Sequence, residues 1–272
     1  MKVLLVGDVV GSPGRRVFRE VVKRLRAESA VHAVVVNAEN AAAGSGITMA
    51  LAQEIFAAGA DVITMGDHAW GQRDLENTIG GEKRLIRPVN SPPGTPGQGS
   101  VTVQTALGPL TVVNLLGRVF MNPTDCPFRA MDALLNTLPR NVPIIVDFHA
   151  EATSEKIAMG HHLDGRVAAV VGTHTHVQTS DAVLLPKGTA YMTDLGMTGP
   201  AYSVIGREIA PVLRKFTTGM PSRFEVAGGP CVLEGAVLEL DRASGRALGI
   251  TAYRYRETSG ADQTQTPPGG EA

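Results

Sequence analysis

The chain opens Met1-Lys2-Val3-Leu4-Leu5-Val6-Gly7-Asp8-Val9-Val10-Gly11-Ser12-Pro13-Gly14, and this stretch decides how the rest is read. Val3 to Val6 is a short apolar run ended by a glycine turn, the pattern of a buried strand. A helix is expected over residues 12–28, with Ser12 as its hydroxyl cap and Pro13 in the first turn, where a missing N–H costs nothing. Val17, Val21 and Leu25 recur every four residues and give that helix one buried face. Further strands are predicted over 33–37 and 61–65, with a helix between them that starts at Thr48 and ends at Gly59. The order β-α-β-α-β implies parallel strands joined by right-handed crossovers.

Working outward, short β-branched runs recur at 144–146 and 167–171. Residues 91–99 form a Pro/Gly loop, followed by an expected antiparallel pair, 101–104 with 110–114. Residues 231–240 and 247–255 alternate in period two around Asp241-Arg242-Ala243-Ser244-Gly245, a hairpin pattern. Both kinds of pairing in one chain point to an α/β sandwich with parallel central and antiparallel outer strands. One domain is expected over 1–256. Within it, 195–229 holds one helix, near 205–215, between Gly-rich stretches, and is expected to cap the site or to contact another copy. Residues 257–272 read as a disordered tail.

The bulk composition narrows the function classes. At 272 residues the chain could be one large α/β domain or a domain with an insertion. A net charge of −1 gives no long-range field for duplex nucleic acid or an anionic membrane. The two cysteines, Cys126 and Cys231, lack CxxC or zinc-finger spacing, which argues against a disulfide framework. No run reaches the roughly 18 apolar residues of a membrane helix, and the N-terminus lacks a signal-peptide pattern. A soluble, cytoplasmic protein is the expectation.

The chemistry lies in the loops after the strands. They read Gly7-Asp8-Val9-Val10-Gly11, Asn37-Ala38-Glu39-Asn40, Gly66-Asp67-His68, Asp147-Phe148-His149-Ala150-Glu151 and Gly172-Thr173-His174-Thr175-His176. In a parallel sheet such strand ends point to one side, where ligand sites form. Four of the seven histidines fall there, too many for chance helix caps. His174-Thr175-His176 is the sharpest local signal, because residues two apart in an extended segment project to one face. Carboxylate, amide and imidazole without thiolate suit iron, manganese or related ions and argue against structural zinc. Two ions about 3.5–4 Å apart, joined by a carboxylate or a shared hydroxide, can activate that hydroxide and clamp phosphoryl oxygens.

Other chemistries fit less well. The segment Gly7 to Gly14 lacks the Lys-Ser/Thr of a P-loop, and its glycine spacing is not GxGxxG. There is no GxSxG, and no histidine lies near either cysteine. His32 reads as a surface residue, and His161-His162 as the end of a helix, where a cation suits the dipole. Glu151 and Asp194 could support a neighbouring ligand or act as caps, and Arg118 could reach substrate phosphate.

Taken together, the Gly-Asp-Val-Val-Gly, Asn-Ala-Glu-Asn and Gly-Thr-His-Thr-His loops resemble the calcineurin-like metallophosphoesterases. The resemblance is to their bacterial YmdB-like family of 2′,3′-cyclic-nucleotide phosphodiesterases, and it runs from Met1 to about Tyr255. Met197-Thr198-Gly199-Pro200 and Met220-Pro221-Ser222-Arg223-Phe224-Glu225 share in it. It implies an α/β/β/α sandwich with a small cap or insert, two metal ions (most often iron, with manganese or other divalent ions as substitutes) and a homo-oligomer. Carried over residue by residue, Asp8, Asn40 and His176 would hold one ion, and Asp67, His149 and His174 the other. Glu39 would bridge them, and His68 would protonate the leaving oxygen.

Two departures stand out. Many metallophosphoesterases begin Asp-x-His, whereas Val10 stands in the histidine place here, consistent with recruitment of Asn40. The family usually has Asn before the catalytic histidine; this chain has Asp67. The expected function is hydrolysis of small phosphodiesters, 2′,3′-cyclic nucleotides first, by a hydroxide bridging the metals with a histidine acid. The alternatives are a broad phosphomonoesterase or nuclease with the same centre, and a metal-binding regulatory protein with little turnover.

Overall fold

The first half folds as β1 (Lys2–Val6), β2 (Asp8–Val9), α1 (Gly11–Ala27), β3 (Ala33–Asn37), α2 (Met49–Ala57), β4 (Val62–Thr64), α3 (Leu75–Thr78) and β5 (Leu85–Ile86). The structure is a computed structural model that describes residues 1–258. β1, β3, β4 and β5 pair in parallel, as the β-α-β-α-β order requires. Their side chains alternate: Leu4, Val6, Val34 and Val36 pack under α1 and α2, while Val3, Leu5 and Val35 face a second sheet. Because both faces are covered, these strands can be apolar at every position. Val17, Val21 and Leu25 form the buried stripe of α1, as their spacing predicts.

The start of α1 departs from expectation. Gly11 is already helical, Val10 is the N-cap, and Ser12 makes no capping bond. The reason is tertiary: Gly11 N donates to Asn40 O at 3.0 Å and Val10 N to Thr198 O at 2.9 Å, so main-chain partners do what a hydroxyl would. Thr48 does cap α2, accepting from Leu51 N at 3.3 Å.

The second half contains β6 (Ser100–Thr105), β7 (Gly108–Leu116), α4 (Pro127–Leu135), β8 (Ile144–His149), α5 (Thr153–Leu163), β9 (Ala169–Thr173), β10 (Val183–Leu184), β11 (Ala190–Met192) and β12 (Met197–Pro200). It ends with α6 (Ile209–Thr218), β13 (Cys231–Leu240) and β14 (Ala247–Arg256). One sheet runs β2-β12-β13-β1-β3-β4-β5 with β14 on β13; the other runs β10-β11-β9-β8-β7-β6. β7, β8, β9 and β11 are parallel, and β6 and β10 are antiparallel margins. The outer face of this second sheet packs Val113, Val146 and Phe148 against Met131 of α4 and Met159 of α5. The layers are therefore helix, sheet, sheet, helix.

The 195–229 region divides into two parts. Met197–Pro200 is a strand of the first sheet, antiparallel to β13 and parallel to β2. α6 starts at Ile209, four residues later than its apolar pattern predicts, because residues 203–207 are used in a tight turn. There Gly206 N donates to Ser203 Oγ at 2.8 Å, with Ile205 and Gly206 at φ +45° and +92°. Glu257, expected in the tail, pairs with Arg16 and accepts from Cys231 N at 2.7 Å. The rest of that expected tail, from 259 on, lies outside the described residues.

Candidate metal centre

The parallel strands of both sheets end on one side, and the seven expected ligands meet there. The first sheet supplies oxygen donors and the second supplies nitrogen donors. Asp8, Glu39, Asn40 and Asp67 follow β1, β3 and β4 of the first sheet; His149, His174 and His176 follow β8 and β9 of the second. One donor atom each from Glu39, Asp67, His149 and His174 lies within 4.8 Å of the other three, close enough for all to share a cation.

The second sheet fixes the imidazoles from behind. Thr173 Oγ1 donates to Asp147 Oδ1 at 2.7 Å, so it must accept from His149 Nδ1–H at 2.9 Å. His149 Nε2 then faces Asp67 Oδ1 at 3.1 Å, Glu39 Oε1 at 3.2 Å and His174 Nδ1 at 3.0 Å, and it would give up its proton to meet a cation there. Burial raises the pKa of Asp147, against hydrogen bonds from Thr64, Thr173 and Asn37. Space for the ring comes from Gly66, where an added Cβ would lie 2.2 Å from the imidazole.

The other half of the centre is held from the first sheet. Asn40 Nδ2 donates to Gly44 O at 3.3 Å, leaving Oδ1 to face His176 Nε2 at 3.2 Å. His176 Nδ1 donates to Ile205 O at 3.1 Å, which commits Nε2 to the centre. Asp8 Oδ2 accepts from His174 N at 3.1 Å. Its Oδ1 lies 3.8 Å from His149 Nδ1 and 3.9 Å from His176 Nε2, fully buried and, among the described residues, without a hydrogen-bond partner. A buried carboxylate oxygen with no partner is costly unless a cation faces it. The donor set therefore fits a bound metal ion.

The electrostatics agree. Burial pushes Asp8 up to about 7, with the charge of Glu39 adding to it and His149 opposing. Glu39 is pulled down to about 2: burial resists, but the charge of His149 and hydrogen bonds from His149 and His68 prevail. Asp67 is also lowered against its burial, by hydrogen bonds from His149 and His174. Burial alone would lower His149, yet Glu39, Asp67 and Asp8 raise it well above the usual imidazole range. The acids thus make a centre that draws positive charge.

His68 stands at the rim. Its backbone N donates to Glu39 Oε2 at 2.9 Å, and its Nδ1 lies 3.0 Å from Glu39 Oε1. That hydrogen bond raises its pKa although burial opposes. The ring is 42% exposed, so its Nε2 edge can meet a molecule in the adjoining cavity. Glu151 Oε2 touches His174 Nε2 at 3.1 Å and no side chain caps α5, which favours a supporting role over a cap. Arg118 is exposed and does not line the cavity.

Sequence reasoning singled out Asp194 as support or cap but missed its buried partner behind the His-Thr-His loop. Lys156 Nζ donates to Asp194 Oδ2 at 2.6 Å, with side chains 2% and 0% exposed. The same oxygen accepts from Thr175 N at 3.2 Å and Thr175 Oγ1 at 2.7 Å, and Asp194 Oδ1 accepts from Gly196 N at 2.8 Å. Thr175 sits between His174 at φ +101° and His176 at φ +63°, conformations that side-chain-bearing residues rarely adopt. Asp194 clamps the loop in that strained shape. Thr173 and Asp147 lie inside quoted motifs and could have been found by period-two spacing; Lys156 carries no local signal.

The family model described as YmdB-like protein matches residues 4–253. A 2′,3′-cyclic-nucleotide 2′-phosphodiesterase of Bacillus subtilis (strain 168) is 46% identical over 251 residues, 92% of this chain and 95% of the relative. The crystal structure of a hypothetical protein from Thermus thermophilus superposes with a TM-score of 0.90 at 41% identity, covering 95% of this chain and 100% of that one. That of a novel phosphatase from Mycoplasma pneumoniae gives 0.89 at 34% identity, over 98% and 97% of the two chains.

Proposed function

This chain belongs to the YmdB-like family, and on that premise we propose that it is a metal-dependent phosphodiesterase of the calcineurin-like class acting on small 2′,3′-cyclic nucleotides. The observation that carries the reading is Asp8 Oδ1, buried and unpartnered between imidazoles of the second sheet. Two ions would be held here, one by Asp8, Asn40 and His176 and the other by Asp67, His149 and His174, with Glu39 contributing to both. Iron comes first, because oxygen and nitrogen donors without thiolate suit it. Such ions supply a polarised water and draw charge from phosphoryl oxygens.

The protein's own groups do the rest. Glu39 orients His68 through Nδ1 and raises its pKa, which favours the protonated ring and leaves Nε2 as the acid. Water adds to phosphorus and gives up one proton to solvent, the ester bond to O2′ breaks, and His68 Nε2 passes its proton to that oxygen, leaving a 3′-phosphate and a neutral imidazole that solvent reprotonates. Cleavage at O2′ follows the named activity of the Bacillus subtilis relative. A phosphomonoesterase is the second reading, favoured by the 34% identical phosphatase structure.

The reading extends to a homo-oligomer in the cytoplasm. α6 turns Ile209, Leu213 and Phe216 outward at helical spacing, where a second copy would seat. Both cysteines are free, and no helix among the described residues is long and apolar enough to cross a membrane.

The test is turnover of 2′,3′-cAMP, 3′,5′-cAMP, p-nitrophenyl phosphate and short RNA by iron- or manganese-loaded protein, with Asp8→Ala as the blank. The 2′,3′-cyclic substrate is expected to lead. A lead for p-nitrophenyl phosphate selects the phosphatase, and rates no faster than Asp8→Ala select a metal-binding regulatory protein.

A further inference from the structure

A cavity of about 310 Å3 adjoins the centre, lined among others by Glu39, His68, Glu151, Ile205 and Arg207. Among the described residues, Arg207 is the one arginine or lysine on its wall, and the two glutamates are its other charged chains apart from imidazoles. The arginine is delivered by the 203–207 turn, where Val204 N donates to Arg207 O and Arg207 N to Val204 O, each at 2.9 Å. Its guanidinium donates from Nη1 to Ala43 O at 3.0 Å and Phe224 O at 3.3 Å, and from Nη2 to Gly44 O. It passes close over Gly44, which sits at φ +85° and where an added Cβ would lie 2.4 Å from it.

Three features make this more than a strut. Among the described residues, no carboxylate lies within ion-pair distance of the guanidinium, although the side chain is half buried and burial lowers its pKa. A guanidinium has five N–H groups, and the three carbonyls occupy three of them, leaving Nε–H and one Nη2–H. Gly44 O, which receives Nη2, also receives Asn40 Nδ2 at 3.3 Å, so the guanidinium stands one carbonyl away from a ligand of the centre. Carbonyls fix the plane of the cation and leave its charge uncancelled. An anion in the cavity would meet it.

We propose that Arg207 binds a non-bridging phosphoryl oxygen of the substrate and so sets affinity for anionic phosphoesters in this cavity. The proposal rests on the phosphodiesterase reading above, and its test has a part that does not need turnover. Inorganic phosphate is titrated into zinc-loaded protein by calorimetry, for the native chain and for Arg207→Lys, Arg207→Gln and Arg207→Met. Glutamine keeps amide donors for the carbonyls but no charge.

We expect the phosphate Kd to rise about tenfold or more in Arg207→Gln and Arg207→Met, with part of the loss recovered in Arg207→Lys. The KM for 2′,3′-cAMP should rise in proportion, with kcat changed less. A strut would instead lower thermal stability and metal content and leave Kd and KM unmoved; that result overturns the proposal. Should the variants fail to fold, the Arg207 Nε–H resonance of the native zinc-loaded protein decides: it shifts on phosphate titration if the proposal holds and stays still if it does not. A native chain that binds phosphate through Arg207 yet hydrolyses no phosphodiester would end the phosphodiesterase reading alone.

Discussion

Replacing Lys156 by methionine tests what holds the His-Thr-His loop in its strained shape. Methionine keeps most of the apolar stem, which runs close under Gly172, and removes the ammonium 2.6 Å from Asp194. Breaking a buried ion pair by deleting one partner costs ~3–5 kcal/mol. Asp194 keeps its bonds from Thr175 N, Thr175 Oγ1 and Gly196 N, so the lower end of that range, ~3 kcal/mol, is the expectation here. For a domain of this size that lowers Tm by roughly 6–12 °C. The double variant Lys156→Met/Asp194→Asn leaves neither member of this pair charged and should recover most of the loss. Its weaker grip on Thr175 should still let a chelator strip metal faster than from the native protein. The assay is thermal unfolding at pH 7.5 with and without metal, followed by the rate of metal loss to EDTA. A Lys156→Met protein melting within about 1 °C of native, or a double variant no more stable than the single, would refute the account.

Four further outcomes follow from the site. With Asp8 raised to about 7 by burial, metal-free protein should hold its full Asp8 contribution to stability below about pH 4 and lose it as pH rises through 7; His68 and His149, also raised, act in the same direction. Asp8→Asn should flatten that fall in Tm between pH 4 and 8, and an unchanged slope counts against the buried charge. His68→Gln should cut kcat on 2′,3′-cAMP by about 10²–10⁴ while metal content stays constant, and cut it far less for a p-nitrophenyl ester that leaves without a proton. Asp67→Asn should hold metal less firmly and bind phosphate better in the all-divalent form, because the native charges of two such ions, three carboxylates and one hydroxide cancel; unchanged affinities for both would sink that idea. Phe216→Asp should lower the sedimenting mass if α6 seats a second copy, and leave it unchanged if it does not.

The fold was legible where local pattern and tertiary environment agree. β1 and β3 are apolar at nearly every position because both faces are covered; β14 alternates because one of its faces meets solvent, whereas its partner β13 is buried along nearly its whole length. The start of α1 was misread because its cap is the carbonyl of Asn40, which no local rule can see. β2 was missed because it has two residues, and its partner β12 lies nearly 190 positions away. The candidate ligands were legible because strand-end loops gather Asp, Glu, Asn and His in short motifs. Lys156 was not: Ser-Glu-Lys-Ile early in a helix reads as solvated, and its burial depends on Asp194, far along the chain. Arg207 was hidden in the same way, inside a segment whose turn at Ile205 and Gly206 hides its geometry from periodicity.

Acids and amide come from one sheet and imidazoles from the other, and this has a kinetic meaning. Neither sheet alone holds the full donor set, so the mixed oxygen and nitrogen centre is complete only after the two have docked. Asp8 and His176 are separated by more than half of the chain, and closing such a distance is a late, entropically costly event. Ion capture should therefore time the last tertiary step of refolding, after the burst of secondary structure in each sheet. Once bound, the ion acts as a non-covalent crosslink that slows reopening of the sandwich at its ligand-bearing end.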